Sequence, residues 1–497
     1  MADFDLAIIG GGINGAGIAR DAAGRGLRVL LVEQNDLASG TSSASTKLIH
    51  GGLRYLEHGA FRLVREALAE REVLLHLAPH LVRPLRIVLP PQNGPRSAFL
   101  IRIGLFVYDH LGGRTILPKS KTVDLSHHAY GVPLYRHYTI GLEFSDCMSD
   151  DSRLAVLNAI DAAERGAVIR TRTRCVRAER SEIWTLVLNA RGRRDVATAR
   201  VLVNATGPWV MQLAETVLRM QGPLPVRLAK GTHIVVRRLF DHSCGYMFQT
   251  ADGRVVFALP FEHDFTLIGT TDADFAGDPA TPIPSVQEIT YLCDAANTYF
   301  REPIQPIDVV WAFSGIRSLY DDGAEKPDDV TREYVLALDE VSGVAPLLTV
   351  YGGKITTYRR LAEAAIAKIG HFFATRPAWT GQAPLPGGHF NPNDLPRMIT
   401  DTGRRWPFLS ENHVRRLVLA YGTRIERVIG AARTLDDLGI RFGADLTASE
   451  VRYLMRHEWA ETADDILWRR SKLGLRMSRE ERETLSRYMA SSLGATA

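Results

Sequence analysis

Apolar and polar residues follow one another in blocks at the start of the chain. An apolar run at residues 6–9 is followed by a glycine-rich turn and a segment of helix length, and a second apolar run occupies residues 29–32. Short apolar runs bounded by such a turn are typical of buried strands. The first part of the chain is therefore predicted to fold as strand, turn, helix and strand.

The pattern changes twice further along the chain. Between residues 227 and 307, short stretches such as 233–236 and 255–259 alternate with Asp-Gly and Pro turns, which predicts an antiparallel sheet. After a link rich in proline and glycine at 384–391, apolar residues recur at helical spacing, and capping boxes precede two further apolar segments. Residues 390–497 are therefore predicted to form a helical domain.

The glycine turn carries the first candidate chemistry. Gly10 permits a tight turn, Gly12 lets backbone N–H groups approach a pyrophosphate, and Gly15 lets the helix pack closely on the strand. Glu33 ends the second apolar run, 18 residues after Gly15, where it is placed to accept a hydrogen bond from a ribose hydroxyl. This spacing predicts a dinucleotide site.

Length and composition narrow the class of protein. A chain of 497 residues is expected to divide into two or three domains, and a net charge of +4 does not indicate a nucleic-acid-binding surface. The four cysteines lack metal-ligand spacing, so no metal site is expected. No run of 18 apolar residues occurs, so no membrane-spanning segment is expected. The first predicted strand begins at the fourth residue, so no signal peptide is expected either.

One segment departs from this even charge. Residues 73–123 contain seven arginines and lysines and one acidic side chain, interleaved with apolar runs at 87–89, 99–101 and 103–108. Cations beside exposed apolar residues suit an anionic membrane surface, where each contributes about 1 kcal/mol. The same runs also suit a buried core bordered by arginines, and the sequence leaves both interpretations open.

Three features favour FAD as the dinucleotide. A single glycine fingerprint of this kind occurs, whereas an enzyme that also binds a pyridine nucleotide usually needs two. An apolar strand ends at Ala205-Thr206-Gly207, which resembles the second phosphate-proximal turn of FAD proteins. The hydroxyl side chains and the lysine of residues 39–47 suit a diphosphate and a ribityl chain.

With these motifs the chain resembles the FAD-dependent, quinone-linked glycerol-3-phosphate dehydrogenases of bacteria. The shared motifs are residues 9–17 with Asp21, Arg25 and Gly26, residues 50–56, residues 352–362 and residues 465–470. They are distributed from the first strand to the C-terminal region, so the likeness covers essentially the whole chain.

The resemblance implies an α/β fold similar to that of D-amino-acid oxidase. The expected parts are a Rossmann-type FAD domain (1–72, 141–212 and 308–384), an antiparallel-sheet domain facing substrate and membrane (73–140 and 213–307), and a C-terminal all-helical domain (390–497).

The resemblance also implies which residues form the site. The residues expected around FAD are Gly10, Gly12, Ile13, Asn14, Gly15, Glu33, Ser42, Ser43, Ser45, Lys47, His50, Val176, Ala205, Thr206, Gly207, Gly353, Lys354, Ile355 and Thr356. The residues expected around the substrate are Arg54, Tyr55, His233, Arg317, Arg332 and Lys354. Four of these six are cations, and a phosphomonoester dianion needs several converging cations.

Oxidation of a secondary alcohol also needs a group that accepts the proton of O2. Histidine has a suitable pKa, and His233, which precedes a predicted strand, is the first candidate, with His50 as the second. Lys354 is a candidate to stabilise a developing alkoxide.

The expected reaction is oxidation of sn-glycerol 3-phosphate to dihydroxyacetone phosphate, with hydride transfer from C2 to flavin N5 and electrons passed to ubiquinone or menaquinone. The resemblance further implies a homodimer in the cytoplasm, peripheral on the inner face of the cytoplasmic membrane. Three alternatives remain open at this point: a glycerol-3-phosphate oxidase that uses oxygen, an amine or amino-acid oxidase on the same fold, and a flavin sensor without turnover.

Overall fold

The structure is a computed structural model and describes residues 2–91, 98–220, 224–270, 273–321 and 333–494. Within these residues the strands are β1 (Phe4–Ile9), β2 (Val29–Val32), β3 (Leu48–Ile49), β4 (Val82–Leu89), β5 (Lys121–Asp124), β6 (Ile140–Ser149), β7 (Val168–Arg170), β8 (Thr173–Arg180), β9 (Trp184–Ala190), β10 (Arg193–Asn204), β11 (Val226–Arg237), β12 (Gly245–Gln249), β13 (Val255–Phe261), β14 (Phe265–Gly269), β15 (Ala273–Asp274), β16 (Val309–Tyr320), β17 (Val335–Asp339), β18 (Leu347–Tyr351), β19 (Arg441–Gly443) and β20 (Leu446–Thr447).

The helices of the same ranges are α1 (Ile13–Gly24), α2 (Phe61–Leu77), α3 (Ala98–Leu111), α4 (Asp151–Glu164), α5 (Val210–Thr216), α6 (Val286–Asn297), α7 (Tyr358–Ile369), α8 (Leu395–Arg405), α9 (Glu411–Tyr421), α10 (Ile425–Ile429), α11 (Ala448–His457) and α12 (Arg479–Gly494). Short 3₁₀ turns include Thr41–Ser43 and Leu53–Leu56, and Asp465–Arg470 forms a single π-helical segment.

The first sheet has the strand order β17-β18-β10-β1-β2-β7. Strands β18, β10, β1, β2 and β7 pair in parallel, β17 is an antiparallel edge strand, and the β8–β9 hairpin continues the sheet from β10. Residues of α1, α4 and α7 share one apolar core with β1, β2, β10 and β18. Strands covered on both faces read as continuous apolar runs, as β1 and β2 do. The predicted Rossmann-type unit is confirmed.

The second sheet has the order β15-β11-β14-β13-β12-β4-β6-β3, with β16 paired along β11 and β5 paired with β6. Its pairs are antiparallel except for β12 with β4. Helix α6 packs on one face, and α2 with α3 packs on the other. The predicted antiparallel sheet is confirmed.

Three strands lie in a different sheet from the one that the predicted domain boundaries give them. The segments predicted for the FAD domain contain β3, β6 and β16, but all three belong to the second sheet, where β3 pairs with β6, β6 with β4 and β16 with β11. Alternating apolar residues predict a strand without predicting its partner, because partners come from distant parts of the chain. These strands therefore join the two layers.

The C-terminal part forms a helical domain with its own core, and the predicted helical character is confirmed. A short β19–β20 hairpin is an addition to the all-helical prediction. Buried ion pairs join this domain to the first sheet: Arg470 Nη2 lies 2.8 Å from Asp36 Oδ1, and Arg153 contacts Glu458.

The sequence left open whether residues 73–123 form a membrane-facing surface or a buried core, and each interpretation fits a part of the segment. Strand β4 is core, since its apolar residues are buried, whereas α3 exposes Phe99 (70 %), Leu100, Ile103 and Phe106 (64 %) while it buries its opposite side. Among the described helices, none has the length and hydropathy needed to cross a membrane.

Candidate active site

A cavity of about 350 Å³ lies between the two sheets. Its walls come from the carboxyl ends of β1, β2 and β10, from β11 and β16 of the second sheet, and from the turn that follows β18. Crevices at the carboxyl ends of parallel strands are the usual ligand sites of open α/β sheets. Stretches from distant parts of the sequence thus meet in one place.

The glycine turn is shaped by close backbone contacts. Gly10 has a φ of +116°, and an added Cβ would lie 2.5 Å from Ala205 O. At Gly15 an added Cβ would lie 1.9 Å from Gly10 O, so no side chain fits between turn and helix. Gly10, Gly12, Ile13 and Asn14 line the cavity at the N-terminus of α1, a favourable position for an anionic pyrophosphate. Gly15 lies behind them.

Glu33 lines the cavity at the end of β2. Gly11 N donates to its Oε2 at 2.7 Å and Asn35 N donates to its Oε1 at 2.8 Å, which fixes the carboxylate beside the turn. Burial raises the pKa of Glu33. Each oxygen retains acceptor capacity for a ribose hydroxyl.

The shared motifs at residues 9–17 and 352–362 meet through one side chain. Asn14 Nδ2 donates to Gly352 O at 3.1 Å across 338 positions of sequence. Gly353 has a φ of +97°, and an added Cβ would lie 3.0 Å from Asn14 Nδ2. Within the described residues, the buried Asn14 Oδ1 has no hydrogen-bond partner. The cavity wall is therefore closed by both ends of the nucleotide domain.

The other predicted cofactor residues extend this wall. Ser42, Ser45, His50, Ala205, Thr206, Gly207, Lys354, Ile355 and Thr356 line the cavity as well. Ile13 N donates to Ser42 Oγ at 2.9 Å, which holds the serine-rich turn against the glycine turn. Glycine backbone, a helix N-terminus and hydroxyl groups in an elongated cavity fit the diphosphate and sugar parts of FAD.

The side chains of three predicted cofactor residues lie outside the lining of this cavity. Lys47 is buried away from the cavity, where its ammonium lies 2.9 Å from Asp151 Oδ1 and 3.0 Å from Ser43 O, because a buried cation needs a carboxylate partner. Ser43 also lies outside the lining, and its hydroxyl donates to Gly40 O at 3.3 Å. The side chain of Val176 is exposed, whereas its neighbour Cys175 lines the cavity, as alternation along β8 requires.

A lysine and a tyrosine meet at the other end of the cavity. The ammonium of Lys354 lies 3.9 Å from the centre of the Tyr55 ring, in the geometry of a cation–π contact, and both residues line the cavity. Tyr55 follows Gly52, whose φ is +77° and whose added Cβ would lie 2.3 Å from the tyrosine ring. The turn at 51–56 thus presents the ring to Lys354.

The three predicted arginines differ in position. Arg317, on β16, lines the cavity, whereas Arg54 lies next to Tyr55 and outside the lining. Arg332 lies outside the described residues, and its neighbour Glu333 lines the cavity. Among the described residues, Arg317 and Lys354 are the cations that face the cavity together, with Arg174 towards the β8 side.

His233 lies on β11 with its ring packed on Phe313 of the paired strand. The two ring centres are 5.1 Å apart with an interplanar angle of 10°, and an added Cβ at Gly269 would lie 2.2 Å from the imidazole. Nε2 lies 3.0 Å from Thr46 Oγ1. Nδ1 has no hydrogen-bond partner in the described part of the chain.

Burial, together with the smaller effects of the nearby charges of Lys47 and Arg317, lowers the pKa of His233 to about 3. The ring is therefore neutral at neutral pH and has a nitrogen available to accept a proton. His50 also lines the cavity; its backbone N–H donates to Thr356 Oγ1 at 3.3 Å.

Sequence reasoning missed several residues of this site. Thr46 and Phe313 hold the histidine ring, Asp151 pairs with Lys47, and Trp209 and Asn35 line the cavity. Thr46 belongs to the hydroxyl-rich segment 39–47, and Trp209 follows the Ala205-Thr206-Gly207 turn by two residues, so the position of both was a usable signal. The roles of Phe313 and Asp151 depend on pairing between distant segments and leave no local signal.

Comparison with protein families gives two matches along the chain. Residues 5–359 match the model described as FAD dependent oxidoreductase. Residues 378–496 match the C-terminal domain of alpha-glycerophosphate oxidase. Together the two models span both the sheet layers and the helical domain.

Individual proteins agree with these matches. A glycerol-3-phosphate dehydrogenase of Pseudomonas aeruginosa is 49 % identical over 98 % of this chain and 95 % of its own length. A D-erythritol 1-phosphate dehydrogenase of Brucella abortus is 48 % identical over 96 % of each chain. Among solved structures, a Bacillus halodurans glycerol-3-phosphate dehydrogenase complexed with FAD has a TM-score of 0.80 at 27 % identity, over 99 % of this chain and 91 % of that one.

Proposed function

Because the chain belongs to the family of FAD-dependent glycerol-3-phosphate dehydrogenases, we propose that it oxidises sn-glycerol 3-phosphate to dihydroxyacetone phosphate. The observation that carries this proposal is the convergence of Arg317, Lys354 and His233 on one cavity. FAD, when bound, supplies the acceptor for the hydride that leaves C2. The protein's own residues bind the phosphate, orient C2 and accept the proton of O2.

The two cations bind the phosphate dianion. Arg317 offers a planar fork of donors and Lys354 a compact ammonium, and a doubly charged ester is held best by several such groups. The Tyr55 ring limits where the Lys354 ammonium lies, since the two are 3.9 Å apart. The carbinol part of the substrate is thereby directed towards His233.

His233 is the proposed proton acceptor. Its low pKa keeps the ring neutral before substrate binds, and a dianion beside it raises its proton affinity, because an adjacent negative charge favours the imidazolium. Lys354 stabilises the alkoxide that forms as the proton leaves. His50 is the second candidate for the proton acceptor.

Dye-linked turnover tests the substrate. We expect glycerol 3-phosphate to exceed free glycerol in kcat/KM by about a thousandfold, because the cations act only on the phosphate. Arg317→Ala should lower kcat/KM by about a hundredfold, while Arg238→Ala, at an exposed arginine directly after β11, should not. Equal turnover of glycerol and its phosphate would contradict the proposal, and turnover of glycine or proline alone would establish an amino-acid oxidase.

The 48 % identical D-erythritol 1-phosphate dehydrogenase makes a longer polyol phosphate the second candidate substrate. Both substrates offer a phosphate and a neighbouring secondary alcohol. Comparison of kcat/KM for the two phosphates in the same dye-linked assay decides between them, with the higher value identifying the substrate.

A lipid-dissolved quinone is the proposed electron acceptor, and α3 is the proposed docking element. The exposed apolar residues of α3 stand beside the exposed cations Arg102, Arg114 and Lys119. Arg86 and Lys121 instead both pair with Glu143, whose carboxylate offsets part of their charge. Insertion of large apolar side chains with neighbouring cations suits the inner face of the cytoplasmic membrane.

Two measurements test this docking and the acceptor. Sedimentation with anionic vesicles should retain the protein, and Phe99→Ser with Phe106→Ser should reduce retention at least tenfold, whereas Val196→Ser, exposed on the first sheet, should not. Stopped-flow mixing of reduced enzyme should show fast reoxidation by a quinone analogue and slow reoxidation by air. Fast peroxide formation would instead identify an oxidase, and no bleaching of the flavin band by substrate would identify a sensor.

The homodimer is part of the same proposal. Light scattering of the purified protein should give twice the chain mass of 55.1 kDa. A mass of one chain would contradict it.

A further inference from the structure

The shared motif at 465–470 has no role in the proposed chemistry, yet it reaches the candidate active site. This π-helical segment belongs to the C-terminal domain and contacts two places on the nucleotide domain. Its residue Trp468 is half-buried. The side chain packs against the core of its own domain and also against Trp311 of the second sheet.

A continuous row of rings runs from Trp468 to His233. Trp468 stacks on Trp311 with centres 4.7 Å apart, Trp311 lies 4.5 Å from Phe313, and Phe313 stacks on His233 at 5.1 Å. All three separations fall within the range of about 4.5–7 Å in which aromatic rings attract one another. Phe313 and Trp311 stand two residues apart on β16, so both project from the same face of the strand.

The far end of the row is held in place. Arg470, two residues after Trp468, makes a fully buried bidentate pair with Asp36, at 2.8 and 2.9 Å. An added Cβ at Gly474 would lie 2.6 Å from the indole, so backbone packs directly on the ring, and Arg482 lies 5.6 Å from its centre. Trp468 therefore has little freedom to turn.

The near end of the row lacks such restraint. His233 has one polar contact, Nε2 to Thr46, and its Nδ1 has no hydrogen-bond partner among the described residues. The ring plane of His233 thus depends on the flat surface of Phe313 and on the close approach of Gly269. Whatever fixes Phe313 also fixes the imidazole.

We propose that Trp468 is a positioning residue of the candidate active site, which holds the His233 ring through Trp311 and Phe313. The C-terminal domain thereby contributes to the site without touching the cavity. This inference rests on the proposed function, because it assigns a use to the orientation of His233. Closely packed aromatic rings transmit a displacement, since an interior without voids does not absorb it.

The test compares two tryptophans of the C-terminal domain in the FAD-loaded, full-length protein. Trp468→Leu removes the ring at the end of the row, and Trp406→Leu removes a buried tryptophan of the same domain that has no part in it. Trp468→Leu should lower kcat for glycerol 3-phosphate about tenfold with little change in KM, because small misplacements of a catalytic group reduce the rate strongly. Trp468→Phe should recover most of the loss.

Two further readouts report the histidine itself. The charged groups that face it are Lys47 and Arg317. A loosened ring gains water, so the acid limb of the kcat/KM profile should move towards pH 6.5 by about one unit or more in Trp468→Leu. Diethyl pyrocarbonate should also modify His233 faster in this variant, as measured by peptide mass spectrometry, which does not depend on turnover.

Trp311→Leu should reproduce these changes. The double variant Trp311→Leu with Trp468→Leu should show effects only slightly larger than those of either single variant, because both substitutions act through the same contact. Trp311→Leu alone serves if Trp468→Leu does not fold. The three readouts are kcat, the acid limb of the pH profile and the rate of His233 modification. The inference would be overturned if Trp468→Leu and Trp311→Leu both behaved like Trp406→Leu in all three. Failure of the wild-type protein to oxidise either polyol phosphate would instead refute the proposed function, and the His233 modification rates would still decide the inference.

Discussion

The two ends of the cavity are built in different ways. At the dinucleotide end, one continuous segment supplies the glycine turn, the helix N-terminus and Glu33, and the backbone provides most of the surface. At the substrate end, single side chains from four distant segments meet, namely Tyr55, His233, Arg317 and Lys354. The first end depends on the absence of side chains and the second on their charge and orientation.

This difference separates two kinds of failure. A change at the dinucleotide end should prevent cofactor binding, whereas a change at the substrate end should leave the cofactor in place and slow the reaction.

The largest effect is expected at the dinucleotide end from Gly15→Ala. The added Cβ would lie 1.9 Å from Gly10 O, so the turn and α1 cannot keep their spacing. We expect the purified variant to carry no FAD by visible absorbance and to show no turnover. Gly403→Ala, where nothing lies within 4 Å, is the matched control and should keep its flavin. A yellow, active Gly15→Ala variant would remove the distinction between the ends.

At the substrate end, Lys354→Met should keep the flavin and lose activity. Loss of one preorganised cation that stabilises developing charge costs about 10²–10³ in kcat. Lys368→Met serves as the control, because its ammonium donates to Leu336 O on the surface. Steady-state kinetics and flavin content of the same samples measure both properties. Loss of FAD together with activity would show that the two ends are not separable.

A buried lysine sharpens the contrast with Lys354. Lys47 pairs with Asp151 while both side chains are almost fully buried, so Lys47→Met leaves a buried carboxylate without its partner. We expect the free energy of unfolding to fall by about 3–5 kcal/mol. Lys354→Met should change it by less than about 1 kcal/mol. Urea unfolding followed by circular dichroism gives both values, and equal losses would contradict a structural role for Lys47 alone.

The smallest effect concerns pH, and its sign differs between the ends. His233 has a pKa of about 3 in the folded protein, below the value of about 6.5 in the unfolded chain. Its contribution to the free energy of unfolding is therefore fully present above pH 6.5. It is lost as the pH falls below that value, by about 1.4 kcal/mol per pH unit. Glu33 has a raised pKa, so its contribution is largest at low pH and declines as pH rises.

The measurement is the slope of unfolding free energy against pH between 5 and 6.5. This slope reports how many more protons the unfolded state binds than the folded state. His233→Gln should reduce that number by about one, whereas His127→Gln, at an exposed histidine, should leave it unchanged. An unchanged slope in His233→Gln would show that its imidazole is not buried neutral.

The sequence predicted the dinucleotide end well because its signal is local. The spacing of Gly10, Gly12, Gly15 and Glu33 lies within one strand–turn–helix–strand unit, and the structure has that unit in the predicted place. Resemblance located Arg317, Lys354 and His233, and the structure brings these residues to the cavity. Their roles there stay a prediction until the variants are measured.

Other features depended on contacts that no local pattern carries. Lys47 has the residue type and position of a diphosphate ligand, but Asp151, more than a hundred residues away, captures its ammonium. The sheet membership of β16 and the burial of β4 beside the exposed α3 also follow from long-range packing. The row of rings from Trp468 to His233 joins two domains, and no spacing of residues along the sequence predicts it.

The hydrogen bond from Asn14 to Gly352 joins a part of the cavity that is synthesised early to one that is synthesised late. The glycine turn leaves the ribosome early, but the strand and turn that close its cavity follow 338 residues later. During synthesis the nascent chain therefore lacks one wall of this cavity until Gly352 has been added. We expect a chain truncated before that residue to bind FAD far more weakly than the full-length protein.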